Sequence, residues 1–97
     1  MNYQLHPEAA FEHEEQVAYY SARAPGLGHR YHSAFRSAIR QVCETPKRFK
    51  VFSAPKIRRA AIDGFPYSII FRETKDHIHI LAIAHNRRRP SYWAQRL

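Results

Sequence analysis

Two segments of the chain place apolar and small side chains at helical spacing. Over residues 8–23 the steps of three and four connect Phe11, Val17, Ala18 and Ser21. A second pattern with the same spacing runs over residues 27–42 and stops at Thr45-Pro46, and Ala24-Pro25-Gly26 separates the two. Two amphipathic helices joined by so short a turn pack as an antiparallel hairpin, which we expect to cover one face of a sheet.

Acidic side chains are concentrated in the first predicted helix. Its first half carries Glu8, Glu12, Glu14 and Glu15. Carboxylates are favourable near the positive end of a helix dipole. We therefore expect this helix to present an acidic outer face.

The remaining patterns are typical of strands. Tyr3 and Leu5 alternate with polar neighbours before Pro7, which predicts a short strand leading into the first helix. Residues 56–62, 67–72 and 78–84 are strand-like by alternation or β-branching and predict an antiparallel meander, with turns at Asp63-Gly64 and over residues 73–76. The intervening residues 46–55, bounded by prolines, are expected to form an ordered basic loop that carries Lys47, Arg48 and Lys50.

Histidines alternate along the last predicted strand. Strict alternation places five side chains on one face, namely His77, His79, Leu81, Ile83 and His85. His77 and His79 have a spacing that metal ligands use, but no carboxylate or cysteine is spaced to complete the set. We expect no metal site.

Length and composition limit the kind of protein. With 97 residues, of which 44% are hydrophobic, the chain is expected to form one domain over residues 1–97. Its single cysteine, Cys43, cannot form an internal disulfide, and the first residues lack the pattern of a secretory signal. No stretch is apolar for long enough to span a membrane, so we expect a cytoplasmic protein.

Net charge is distributed unevenly between the two halves. Residues 1–45 carry four basic and five acidic side chains, whereas residues 46–97 carry twelve basic and three acidic ones. The formal charge of +8 therefore arises entirely in the second half. Clustered cations attract polyanions or acidic partners, although a basic and merely solvated surface is the alternative.

The residues after the last strand combine an imidazole with cations. His85 precedes Arg87, Arg88 and Arg89, and its side chain is either a general acid or base or a structural group at the strand end. At most two consecutive arginines can reach one ligand from an extended chain. Arg58 and Arg59 point to opposite faces of their strand. Trp93 is expected to anchor the C-terminal tail, whereas Tyr92 either joins it or stacks on a base.

Several kinds of chemistry have no support in the sequence. It contains no Gly-rich phosphate loop, no paired carboxylates beside aromatic residues and no Ser-His-Asp pattern. We therefore expect no cofactor and no hydrolase that depends on carboxylates or magnesium. Phosphodiester cleavage through Arg, His and Tyr side chains stays open.

A series of short motifs covers nearly the whole chain. In order, they are Tyr19-Tyr20, Gly26-Leu27-Gly28, Thr45-Pro46 followed by Arg48-Phe49, Phe65-Pro66-Tyr67, and His85 followed by the arginines and Tyr92-Trp93. This order resembles the RelE/ParE toxins of type II toxin-antitoxin systems, which include plasmid stabilisation toxins. The resemblance implies an α+β fold of order β-α-α-β-β-β, with the helical hairpin on one face of an antiparallel sheet.

The same resemblance implies growth arrest by one of two routes. RelE-like members cut messenger RNA on the ribosome, whereas ParE-like members poison DNA gyrase. For cutting, the resemblance matches Arg87 or Arg88 to a distal arginine and Tyr92 to a late tyrosine, and His85 is a candidate acid or base. Cutting relatives place an arginine after the aromatic residue of the second meander strand, where this chain has Ser68. This phosphate ligand is therefore missing unless Arg58, Arg59 or Arg72 substitutes for it. The Phe65-Pro66-Tyr67 start and the arginine-rich stretch that ends in Tyr92-Trp93 look closer to the ParE-like branch.

Three hypotheses follow from these observations. The chain is a gyrase-directed toxin that is not an enzyme, a ribosome-dependent endoribonuclease, or a nonenzymatic nucleic-acid-binding protein. For the first two, the resemblance implies a cognate antitoxin and a hetero-oligomeric complex with it. An acidic and largely disordered antitoxin segment would fold over the basic face or pack along the helices. The residues expected at the binding surface are Lys47, Arg48, Lys50, Arg58, Arg59, Arg87, Arg88 and Arg89.

Overall fold

The computed structural model describes residues 1–89 and 91–97, and within these residues the chain forms two helices and five strands. In chain order they are β1 (Asn2–Leu5), α1 (Pro7–Arg23), α2 (Leu27–Glu44), β2 (Val51–Ser53), β3 (Ile57–Ala61), β4 (Tyr67–Glu73) and β5 (His77–His85). Short 3₁₀ turns form at Pro46–Arg48 and Ala94–Arg96. The two helices and the four predicted strands are confirmed, with boundaries that differ by one or two residues.

The strands form one sheet in the order β1-β5-β4-β3-β2. The predicted antiparallel meander of β3, β4 and β5 is confirmed. The sheet is nevertheless mixed, because β1 pairs with β5 in parallel. This pairing requires a long connection between the two strands, and the intervening helices and meander provide it.

The segment over residues 46–55 is more regular than predicted. A 3₁₀ turn and the edge strand β2 replace the expected loop, so the sheet has five strands among the described residues. β2 has only three residues, and its pairing with β3 is irregular. So short an edge strand between prolines shows no alternation that sequence analysis could detect.

The helical hairpin covers one face of the sheet, as predicted. Its contact with the sheet buries the main hydrophobic core, in which α2 contributes Tyr31, Phe35, Ile39 and Val42. The two helices approach closely at Gly28, where an added Cβ would lie 1.9 Å from Ser21 Oγ and 2.9 Å from the carbonyl oxygen of Val17. Among the described residues, no helix is both long enough and apolar enough to cross a membrane.

The opposite face of the sheet, here called the open face, carries a second and smaller core. Trp93 lies 3% exposed over apolar side chains of β3, β4 and β5, which are Ile57, Ile70, Leu81, Ala82 and Ala84. The ring of Phe52 contacts Trp93 edge to face, with ring centroids 6.0 Å apart. Trp93 therefore anchors the C-terminal tail, which confirms the prediction for this residue.

A β-bulge interrupts the alternation of β5. Ile70 pairs with Ala82, but the next residue, Phe71, pairs with Ile80. Leu81 is therefore an extra residue in β5, and the side chains after it change faces.

The bulge makes the predicted common face of β5 wrong. Ile80 and Ile83 both belong to the core beneath the helices, although strict alternation would separate them. His77 and His79 point to the open face, whereas His85, opposite Tyr67, points toward the helices. A single inserted residue leaves no signal in the hydrophobic pattern, because Leu81 and Ala82 are both apolar.

Candidate functional site

A cleft of about 150 Å³ lies on the open face, beside the end of β5. We call it the open-face cleft, and its charged and aromatic lining consists of Arg59, Arg88 and Arg89 with Phe52, Tyr92 and Trp93. The guanidinium of Arg59 lies 5.4 Å from the ring centroid of Phe52, and that of Arg88 lies 3.9 Å from the centroid of Tyr92. Guanidinium groups therefore lie against aromatic rings at two places in this cleft.

None of the three arginines of the cleft forms an ion pair with another described residue. Within residues 1–89 and 91–97, the ion pairs formed by arginine side chains all belong to Arg96. Arg59, Arg88 and Arg89 are exposed. Uncompensated guanidinium groups beside aromatic rings suit phosphate oxygens or carboxylates as ligands.

The backbone explains which arginines reach this cleft. β3 alternates, so Arg59 faces the open side while Arg58 faces the helices. After β5 the chain turns rather than staying extended, and the amide of Arg88 donates to the carbonyl oxygen of His85 at 2.9 Å. Arg88 and Arg89 therefore line the cleft, whereas Arg87 is not among its lining residues within the described part of the chain.

The other basic candidates lie elsewhere. Arg58 donates from Nη1 to the carbonyl oxygens of Phe49 and Lys47 at 2.5 and 3.5 Å, so it holds the segment before β2 in place. Lys47 and Arg48 lie beside Met1 and Cys43, in a depression away from the open-face cleft, and Lys50 is exposed. The predicted basic surface is therefore split, with Arg59, Arg88 and Arg89 forming one compact group.

His85 lies at the junction of two depressions. Its Nδ1 accepts a hydrogen bond from the amide of Arg87 at 3.1 Å, and its ring contacts Tyr67 edge to face at 5.2 Å. Because Nδ1 accepts, the ring proton of the neutral imidazole is on Nε2. His85 lines the open-face cleft and also a groove on the helix side.

The second depression, the α1 groove, has a volume of about 430 Å³. It lies between α1 and the end of β5, and it shares His85 and Arg88 with the open-face cleft. Its remaining lining residues are Glu12, Glu15, Gln16, Tyr19, Tyr67 and Ile83. None of these six residues was predicted to be part of a site.

Glu12 connects α1, β5 and the C-terminal tail. Its carboxylate accepts hydrogen bonds from the Ile83 amide at 3.0 Å, the Tyr92 hydroxyl at 2.9 Å and the Arg96 guanidinium at 3.0 and 3.1 Å. The side chain is only 12% exposed. The predicted acidic outer face is therefore wrong for Glu12, because this carboxylate satisfies donors of the sheet edge and of the tail. We call Glu12, Tyr92 and Arg96 the Glu12 clasp.

The Glu12 clasp lies along the part of β5 that extends beyond its pairing with β1. β1 ends at Leu5, so among the described residues the backbone of β5 beyond Ile80 has no partner strand on that side. Side chains take over: Gln16 Nε2 donates to the Ile83 carbonyl oxygen at 3.0 Å, and Arg96 Nη1 donates to the Leu81 carbonyl oxygen at 3.1 Å. Buried backbone groups require such partners. The only sequence signal was that Glu12 and Gln16 are one helical turn apart, which does not reveal the edge they meet.

The clasp changes the chemistry of Tyr92. Burial, the charge of Glu12 and the hydrogen bond to Glu12 together raise the pKa of Tyr92 to about 12. The phenol therefore stays protonated near neutral pH and already donates to a carboxylate. On β4, Ser68 is likewise engaged, since its Oγ donates to Asn86 Oδ1 at 2.7 Å.

His77 and His79 of β5 belong to no metal-binding arrangement among the described residues. Within the described residues, no three His, Cys, Asp or Glu side chains lie close enough to hold a metal ion. His77 Nδ1 is 2.9 Å from Asp76 Oδ1 and 2.9 Å from the hydroxyl of Thr74. Burial, followed by the charge of Arg72, lowers the pKa of His79.

The fold and the site together define a class of small α+β proteins. A helical hairpin covers one face of a mixed sheet, and arginines lie beside the end of β5 on the other face. The family model described as ParE toxin of type II toxin-antitoxin system, parDE, matches residues 3–90. The chain therefore belongs to the ParE toxin family, within the RelE/ParE superfamily, and is the toxin component of a type II toxin-antitoxin system. No curated protein sequence matches it.

Proposed function

We propose that this toxin arrests growth by inhibiting DNA gyrase and that it contacts its target through the open-face cleft. The family match supports a toxin of the ParE kind. A target that consists of protein and bound DNA presents the phosphates and carboxylates that Arg59, Arg88 and Arg89 can bind. The toxin would act in the cytoplasm, bound to no membrane and without a cofactor.

The observation that carries the non-hydrolytic part of this proposal is the engagement of Tyr92. A tyrosine that moves protons during RNA cleavage must lose or accept a proton near neutral pH. The Tyr92 hydroxyl instead donates to Glu12, and its pKa is raised to about 12. Ser68 stands where the resemblance places a phosphate-binding arginine in cutting relatives, so cleavage would require another arginine, such as Arg59 of the same cleft, to take that role.

One observation favours a second candidate, a ribosome-dependent endoribonuclease. His85, Arg88 and Arg89 line the same cleft, so an imidazole lies beside two phosphate-binding cations. Metal-free cleavage could use this combination for proton transfer and charge stabilisation. Under this hypothesis the catalytic residues would be His85 and Arg88, with Arg87 and Tyr92 as the further candidates from sequence.

Inducing the toxin without an antitoxin distinguishes the two candidates. We expect growth arrest with an induced DNA-damage response and intact cellular RNA, and we expect His85→Ala to preserve this outcome. RNA fragmentation that disappears in His85→Ala would instead establish the endoribonuclease. Growth without arrest, from a chain shown to be folded and expressed, would contradict both.

We propose that the antitoxin is an acidic segment that orders on the toxin and forms a hetero-oligomer with it. The family supports the existence of this partner, and the uncompensated arginines of the open-face cleft support its charge. The product of the adjacent reading frame should bind the purified toxin, with an affinity that falls as salt rises. Failure to bind at low salt would contradict this assignment.

A further inference from the structure

The carboxylate of Glu12 accepts four hydrogen bonds. It accepts from one backbone amide, one phenol and both terminal nitrogens of a guanidinium. Its ion pair with Arg96 is largely buried, with the two side chains 12% and 9% exposed. Because the partners come from β5 and the tail, Glu12 fixes the tail relative to the sheet at one point.

Tyr92 connects Glu12 to the open-face cleft. Its hydroxyl is held by Glu12, and its ring packs against the open-face core that contains Trp93. The guanidinium of Arg88 lies 3.9 Å from the ring centroid, close enough for a cation–π contact. An exposed arginine at the end of a turn would otherwise sample many rotamers.

We propose that Glu12 is a positioning residue for the target-binding surface: it holds the ring of Tyr92 so that this ring holds the guanidinium of Arg88 at the junction of the two depressions. The proposal rests on the proposed function, in which Arg88 contacts the target. Glu12 is not among the lining residues of the open-face cleft in the described part of the chain. Its contribution is to restrict Arg88 before binding, which reduces the entropy lost on binding.

The effect of Glu12→Gln on binding distinguishes the positioning role from a simple change in net charge. Glu12→Gln raises the net charge of the toxin by one, which by itself strengthens binding to a polyanion. The positioning role predicts the opposite, because the amide group cannot accept from all four donors and Arg96 loses its ion pair. Glu14→Gln makes the same charge change at an exposed residue of the same helix, outside both depressions, and is the matched control.

The first readout is the order of the Arg88 side chain, measured by ¹⁵N relaxation of its Nε–H group in the purified full-length toxin. We expect this order to fall in Glu12→Gln and to remain at the wild-type level in Glu14→Gln. Tyr92→Phe provides a gentler variant, since it removes only the hydrogen bond to Glu12 and keeps the ring. It should lower the order of Arg88 by a smaller amount, and thermal unfolding identifies any variant that has lost its fold.

The second readout is binding to short duplex DNA over a range of salt concentrations. Preorganisation changes the entropy lost on binding and not the number of phosphates contacted, so the slope of log affinity against log salt should stay at the wild-type value in Glu12→Gln. We expect weaker binding by Glu12→Gln at every salt concentration, whereas Glu14→Gln should bind at least as tightly as wild type. Thermal unfolding in the same buffers shows whether any loss of affinity comes from a smaller folded fraction.

The outcomes separate the proposal from the function on which it rests. Unchanged Arg88 order in both Glu12→Gln and Tyr92→Phe would overturn the positioning role. Tighter DNA binding by Glu12→Gln, equal to that of Glu14→Gln, would also overturn it. Reduced Arg88 order and weaker DNA binding with undiminished gyrase inhibition would support the positioning role and contradict the proposed use of the cleft.

Discussion

The two faces of the sheet are built for different purposes. The face beneath the helical hairpin buries a large aromatic and aliphatic core, and it leaves the helices close enough to exclude a Cβ at Gly28. The open face has a small core closed mainly by Trp93, and beside it lie three arginines without acidic partners among the described residues. Most of the buried core therefore lies on one side, and the other side carries the cations to which we assign target binding in the proposed function.

This difference shows how one small sheet can carry a large core on one face and a group of cations on the other. β5 contributes side chains to the cores of both faces. Its bulge at Leu81 reverses which face each following side chain points to. The open edge beyond the bulge is covered by Glu12 and Gln16 from the helix side and by Arg96 from the tail. The two faces therefore meet at this edge, and substitutions can test how independent they are.

The largest expected effect compares neighbouring residues of β4 on opposite faces. Ile69 and Ile70 are 0% and 3% exposed, and alternation places Ile69 beneath the helices and Ile70 on the open face. Each truncation to Ala should lower the free energy of unfolding by about 2–5 kcal/mol, with Ile69→Ala toward the upper end. Ile70 lines the open-face cleft, so its surroundings can collapse or admit water. Urea denaturation measures both, and an equal or reversed order would contradict the comparison.

A smaller effect is expected where the two helices touch. Gly28→Ala introduces a methyl group 1.9 Å from Ser21 Oγ, which forces the hairpin apart and should cost about 1–3 kcal/mol of unfolding free energy. Adding Ser21→Ala removes the closest atom and should restore part of the loss, although the carbonyl oxygen of Val17 remains 2.9 Å away. Thermal unfolding of the single and double variants checks this. If Gly28→Ala is as stable as wild type, the helices are not closely packed there.

A pH effect is also expected on the helix side. The ring of His13 stacks on Phe35 with centroids 3.9 Å apart, and its Nε2 lies 3.0 Å from His32 Nδ1. Burial and the charge of His32 lower the pKa of His13 to about 4. The native state therefore keeps His13 neutral, whereas the unfolded chain binds a proton below the ordinary value of about 6.5.

It follows that the free energy of unfolding decreases as the pH falls from about 6.5 toward about 4. His13→Gln removes this contribution and should flatten the dependence, while the exposed His29→Gln should leave it unchanged. Urea midpoints at several pH values in this window provide the measurement. A wild-type slope retained in His13→Gln would show that other groups cause it.

The parts of the fold that depend on a local residue pattern could be predicted from the sequence. Helical spacing gave both helices, and alternation separated Arg58 from Arg59, because these depend only on local geometry. The bulge at Leu81 and the role of Glu12 could not be predicted, since both depend on which edge and which tail residue come into contact in space. The site was therefore predicted as a set of basic residues, of which the structure brings three together.

The smallest expected effect on stability is the most informative about function. Arg88→Ala with Arg89→Ala removes two exposed cations of the open-face cleft and should change the free energy of unfolding by less than about 0.5 kcal/mol. Arg36→Ala with Arg40→Ala removes the same charge from exposed positions of α2 on the helix side, and it is the matched control.

Inhibition of supercoiling by purified gyrase, measured with the wild-type toxin and both double variants, tests the central claim most directly. We predict that Arg88→Ala with Arg89→Ala weakens inhibition at least about tenfold, a loss of about 1.4 kcal/mol in binding. The α2 variant should inhibit like wild type. Full inhibition by the cleft variant, or an equal loss in both, would contradict the assignment of target binding to the open face.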